Sequence, residues 1–173
     1  MSTERAKVAI IIRNPGLAKE FEKSLQEAGH TVVGFAHTRA SAFSLIPRLF
    51  GETGAFDEIG SNVIILDADL KFHSDLKRWE YPGKDGRDIK KVIDIFSSKV
   101  PEVPEVLKIP EAPWIPEIHE IPEIPEVKIL GRFNPYIKES KIPGVDKNIS
   151  SIPYGETIGN TITEVIVKEV TRL

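Results

Sequence analysis

The chain has no cysteine, which removes disulfides, thiolate zinc sites and cysteine nucleophiles at once. It has no apolar run near the roughly 20 residues needed to span a bilayer. Its start, Met1 to Lys7, is polar and charged and lacks the apolar stretch of a secretion signal. A cytoplasmic protein with no membrane association is expected. An excess of either charge is missing too. Twenty-three Lys and Arg stand against 26 Asp and Glu, a net charge of −3, which gives no reason to expect nucleic acid as a partner. The four histidines, His30, His37, His73 and His119, show no metal-ligand spacing, and no metal site is expected. Gly51 to Gly54 has too few glycines and no following Lys-Ser/Thr to be a phosphate-binding loop. No Ser-His-Asp order and no paired-carboxylate motif stands out. The chain is expected not to be an enzyme.

What is present is the composition of one globular domain spanning 1–173, with 40% hydrophobic residues and length enough for a core. Lys7 to Ile12 is a short β-branched run stopped by Arg13-Asn14-Pro15-Gly16, and it suits a strand buried on both faces. Leu17, Phe21, Leu25 and Ala28 follow at helical spacing and end at Gly29. Thr31 to Phe35 reads as a second strand, and Ser41 to Phe50 as a helix limited by Pro47. Val63 to Leu66 is the clearest strand and runs into Asp67-Ala68-Asp69, with a helical stripe over Asp88 to Ser98. Further on, Val127 to Gly131 and Gly144 to Ser151 read as strands, and Gly155 to Leu173 as a closing helix. Alternating strands and helices with short connections predict an α/β domain with a parallel sheet and helices on both faces. Its functional residues should gather at the carboxyl ends of strands, here Ile12-Arg13 and Asp67.

One segment breaks the pattern. Val100 to Glu126 reads in threes, with an apolar residue first in all nine triplets, proline second in seven and glutamate third in seven. Such proline density excludes helix and central strand, and a period of three is that of polyproline II. Twenty-seven residues in that form would reach on the order of 80 Å. The segment carries a charge of −6, from seven glutamates and Lys108, which leaves +3 on the rest of the chain (−3 minus −6). An unbroken apolar register favours packing against something, its own domain or a partner, over a solvated spacer. Joining a helix to the next strand, it should lie at the end of the sheet opposite Asp67.

Three passages then resemble the receiver domain of two-component response regulators. Glu27 to Ala36, EAGHTVVGFA, is similar to the family's EAGYEVVGEA entering the second strand. Asn62 to Leu70, NVIILDADL, puts Asp67 in the place of the phosphoacceptor aspartate. Pro82 to Ile89, PGKDGRDI, looks like the family's turn into the third helix. The resemblance covers roughly residues 7–98. It implies a flavodoxin-like, doubly wound sheet of five parallel strands in order 2-1-3-4-5, with the triplet segment inserted between third helix and fourth strand.

The departures from that family shape the expected function. Receivers hold Mg²⁺ through an acidic pair after the first strand, where this chain has Ile12 and Arg13, and magnesium demands hard oxygen ligands. The family's switch Ser/Thr falls on Gly131, and its phosphate-pairing lysine falls near Ser151 or Ile152. An insertion over 71–81 would lie over the site, and the stretch from Gly131 to Gly144 is too short for the family's full fourth helix. Asp67 is therefore expected to be either a carboxylate paired with Arg13 or a phosphoacceptor whose metal recruits Asp69 or Asp85. The first alternative gives a stand-alone pseudo-receiver that needs no cofactor. The second gives a true phospho-switch, with Mg²⁺ required, and a flavodoxin-like small-molecule binder is a third. No effector domain is expected to follow, so output is expected to pass to a histidine kinase, a downstream signalling protein or a second copy of the chain. Trp79, Tyr81 and Trp114 are candidate contacts for such partners.

Overall fold

The computed structural model describes residues 5–50, 54–56, 60–70, 83–97, 125–134, 141–150 and 162–173. The insertion at 71–81, residues 100–124 of the triplet segment, and Trp79, Tyr81, Trp114 and Ser151 lie outside the described residues.

The elements follow from local chemistry. Strand β1, Lys7–Ile11, leads into α1, Pro15–Glu27. Asn14 caps that helix by accepting from the Leu17 N–H, while Pro15 occupies the first turn, where a missing N–H costs nothing. Gly29 ends it at φ 93°, a left-handed conformation that glycine adopts without strain. Strand β2, Thr31–Ala36, then gives way to α2, Arg39–Leu49, which opens with a reciprocal cap between Thr38 and Ser41. Pro47 sits inside α2, and the helix ends two residues later at Leu49. Next come β3, Asn62–Asp67, and α3, Lys84–Ser97. Helix α3 starts four residues before the Asp88 expected from the apolar stripe, because its first turn is set by contacts instead. Asp85 and Gly86 are buried there, and the Gly86 N–H donates to the Ala68 carbonyl at 2.9 Å. Strand β4 is Lys128–Phe133, β5 is Lys147–Ser150 and α4 is Ile162–Arg172.

All strand pairings are parallel, in the order β2-β1-β3-β4-β5, as expected. Alternate side chains of the central strands serve two cores. Val8, Ile10, Ile12, Val63 and Ile65 meet Phe21 and Leu25 of α1 and Ile166 and Val170 of α4. Ala9, Ile11, Ile64 and Leu66 meet Ala42 and Ile46 of α2 and Ile89 and Ile93 of α3. Burial of each large aliphatic side chain contributes roughly 1.5–3 kcal/mol, which outweighs the weak helix propensity of the β-branched residues in α4. Among the described residues no helix separates β4 from β5. Instead Ile142 fills the core there, and the Asn148 side chain bonds both its N–H (3.1 Å) and its carbonyl (2.9 Å).

Candidate functional site

The carboxyl ends of β1, β3 and β4 meet at one place because their registers align. Leu66 lies between Ile11 of β1 and Gly131 of β4, and the next residue, Asp67, stands beside Arg132. The Ala68 N–H donates to the Arg132 carbonyl at 2.8 Å, so both backbones are held where the side chains meet.

Both carboxylate oxygens of Asp67 are engaged. Oδ2 accepts from the Arg13 backbone N–H at 2.9 Å, and Oδ1 accepts from Arg132 Nη1 at 2.9 Å. The pair is nearly dry, with Arg132 5% and Asp67 13% exposed. The guanidinium of Arg132 lies 5.2 Å from the Phe21 ring centre, a cation–π arrangement that also shields it from water. Its buried Nε has no hydrogen-bond partner among the described residues. Burial pushes the Asp67 carboxyl up to about 6; the Arg132 charge, the Arg13 N–H and, more weakly, the Arg13 charge pull the other way, and Asp69 adds to the rise. At neutral pH the carboxylate is still mostly ionised, because a neutral acid would strand a buried guanidinium.

The expected Arg13–Asp67 side-chain pair is corrected by this geometry. Arg13 supplies its backbone N–H and a weaker charge effect, and the close ion pair comes from Arg132, one residue beyond the expected end of β4. Gly131, given the switch position by the resemblance, lies inside β4 facing Leu66 and Asn148; a Cβ there would meet Asn148 Oδ1 at 2.7 Å. The residue beside Asp67 is Arg132. Ile12 is fully buried in the α1/α4 core, and its carbonyl accepts from His37 Nδ1 at 2.9 Å.

Asp69 and Asp85 serve the backbone. Asp69 Oδ1 accepts from the Gly83 N–H at 2.9 Å. Asp85, 1% exposed, accepts from the Leu70 N–H at 2.9 Å and from Arg39 Nη1 at 3.3 Å. Arg39 also holds Asp88 at 2.6 Å, which ties the start of α2 to that of α3. These carboxylates do not fit a magnesium ion as arranged, since their oxygens already face N–H donors and a guanidinium occupies the site. Among the described residues no three His, Cys, Asp or Glu stand close enough to hold a metal. Above the pair is a cavity of about 270 Å³ lined by Arg13, Asn14, Leu17, Asp69 and Phe133 among others.

Arg132 was the residue missed from sequence. Its one signal was alternation in Lys128-Ile129-Leu130-Gly131-Arg132-Phe133, which puts Leu130 and Arg132 on the same face.

Five parallel strands in the order 2-1-3-4-5, helices on both faces and an aspartate closing β3 describe a known architecture. The domain has a receiver-like, flavodoxin-like fold. No protein-family model and no curated protein matches the chain. Among solved structures it is similar to the anti-anti-sigma factor PhyR from Bartonella quintana, at 16% identity and a TM-score of 0.42. That similarity covers 95% of this chain but only 46% of PhyR. Among the described residues no helix is long and apolar enough to cross a membrane.

Proposed function

We propose that this chain is a pseudo-receiver: a signalling domain that acts through protein–protein contact, without Mg²⁺-dependent phosphorylation and without enzymatic activity of its own. The observation that carries this is the Arg132 guanidinium at 2.9 Å from Asp67, in the place where a receiver's phosphoryl chemistry needs a metal and a free carboxylate oxygen. A side-chain cation tethered to β4 cannot arrive and leave as a metal does. It favours one arrangement of the β3–β4 ends. Output then depends on which partner meets the domain, either another signalling protein or a second copy of this chain. The small-molecule alternative gains little from the cavity, whose roughly 270 Å³ is below the usual range of 300–1,000 Å³ for ligand pockets.

The test is intact-mass analysis of the full chain incubated with Mg²⁺ and a small acyl-phosphate donor, beside an Asp67→Asn control. No phosphoryl addition is expected. A Mg²⁺-dependent addition that maps to Asp67 and is absent from the control would restore the phospho-switch.

A further inference from the structure

Among the described residues three large apolar side chains stand exposed, and two of them are neighbours in the last turn of α3: Ile95 at 73% and Phe96 at 37%. With Val92 they share one side of that helix at i, i+3 and i+4 spacing. The Phe96 ring stacks on Phe50, just past the end of α2, with ring centres 6.0 Å apart, and Phe50 meets Phe56 edge-on at 5.5 Å. These side chains form an aromatic face at the end of the sheet opposite Asp67, where α2 and α3 finish and β3 and β4 begin. Two exposed cations flank it in the chain, Arg48 in the last turn of α2 and Lys91 one turn before Ile95.

The same end of the domain receives the last residues of the triplet segment. Pro125 is buried, and the Glu126 carbonyl accepts from Nδ2 of the buried Asn62 at 3.0 Å. The Glu126 side chain is exposed, and residues 125–127 form neither helix nor strand. Apolar residues recur every three from Val100 to Ile124, and the next place in that register is Val127. Val127 packs against the core that contains Phe50, Phe56 and Ile93. The end of the segment thus turns its apolar and proline places inward and its glutamate outward, as a polyproline II strip on an apolar surface must.

Extending that register backward from Val127 reaches Ile124, Ile121, Ile118 and Ile115. At about 3.1 Å per residue the stretch spans on the order of 40 Å, more than the 8–10 Å that separates packed helix axes. We propose that residues 115–124 lay their isoleucine edge on the aromatic face of Phe50, Phe56, Ile95 and Phe96, so that the domain carries its own polyproline-type ligand. Aromatic faces are what proline-rich strips recognise, and a preformed strip loses little entropy on docking. The anchor at Pro125 and Glu126 holds the strip at an effective concentration in the millimolar range, so weak contacts suffice. Charge acts in the same direction, because the segment carries −6 and the rest of the chain +3.

The test uses the full chain, whose lack of cysteine makes Glu120→Cys a single attachment point for a nitroxide. Glu120 holds a third place of its triplet, off the apolar edge, so the label leaves the contact intact. Amide NMR should show broadening at Phe50, Phe56, Ile95 and Phe96. Ile118→Asp combined with Ile121→Asp, which alters no residue of the described cores, should lower the docking constant about tenfold or more through lost apolar burial, and the broadening should fall with it. Ile118→Val combined with Ile121→Val should retain it. The proposal is overturned if the face is not broadened, or if the aspartate pair leaves the broadening unchanged. It is also overturned if a nitroxide-labelled chain broadens the face of a separate isotope-labelled chain as strongly, which would make the occupant a second copy. None of these readouts involves phosphoryl addition at Asp67, so this proposal and the pseudo-receiver assignment fail independently.

Discussion

Ionising Asp67 should cost this domain stability, despite the arginine beside it. Two effects oppose one another there. Arg132 at 2.9 Å favours the carboxylate, and removal of both groups from water disfavours it. Burial wins, taking the carboxyl from an ordinary 3.8 to about 6. The folded state therefore holds a proton that the unfolded state releases between those values. The resulting stability is fully present below about pH 4 and is lost as pH rises through 6. At about 1.36 kcal/mol per unit, a shift of roughly two units amounts to about 3 kcal/mol. The assay is urea unfolding of the wild type and Asp67→Asn from pH 3.5 to 7.5. Other titrating groups cancel in the difference between the two. Relative to the variant, the wild type should lose about 3 kcal/mol across that range, half of it by about pH 5, and should level off above about 6. A difference that grows in the wild type's favour as pH rises would refute the reasoning, since Arg132 would then outweigh burial. On the expected outcome the ion pair is a device for conformational specificity held at a cost in stability.

Arg132→Leu should destabilise the domain by about 3–5 kcal/mol at pH 7 by leaving a buried carboxylate unpaired, and adding Asp67→Asn should recover much of that loss in urea unfolding. His30 gives the opposite pH sign. Its Nδ1 accepts from the Ala6 N–H at 3.1 Å, its Nε2 lies 3.2 Å from Thr171 Oγ1, and burial lowers its pKa from 6.5. Its contribution is present above that value and is lost as pH falls below it, so His30→Gln should flatten the acid side of the wild-type stability curve. Gly86→Ala should cost about 1–3 kcal/mol, because its Cβ would stand 2.9 Å from the Ala68 Cα and from Ile142, which thermal unfolding will register. Ile65→Ala, in the middle of the sheet, should cost about 2–5 kcal/mol by the same measurement.

Much of the fold was legible in the residue order. Short β-branched runs marked β1, β3 and the first part of β4, and the apolar stripes at helical spacing marked α1 and α3. Asn14, Pro15 and Gly29 punctuated α1 by chemistry that acts within a few residues. The resemblance to receivers supplied the strand order. Boundaries were less legible where distant contacts set them. The early start of α3 depends on Gly86 meeting Ala68 and Ile142, and β4 extends to Phe133 because β3 and β5 pair with its last residues.

The sequence by itself determined that Ile12 and Arg13 follow the first strand, that Asp67 closes a buried strand, and that the elements alternate as a parallel α/β fold requires. Those are properties of residue type and local period. Only the tertiary structure decided which cation meets Asp67. Arg13 and Arg132 both follow strand-forming runs, and alternation assigns Arg132 a face without saying which residue it meets. The register of β3 against β4 brings Arg132 alongside, under the ring of Phe21, while the chain at Arg13 turns its backbone N–H inward and leaves the residue exposed. Register arises from the summed packing of two cores across five strands, so no short stretch of the chain encodes it.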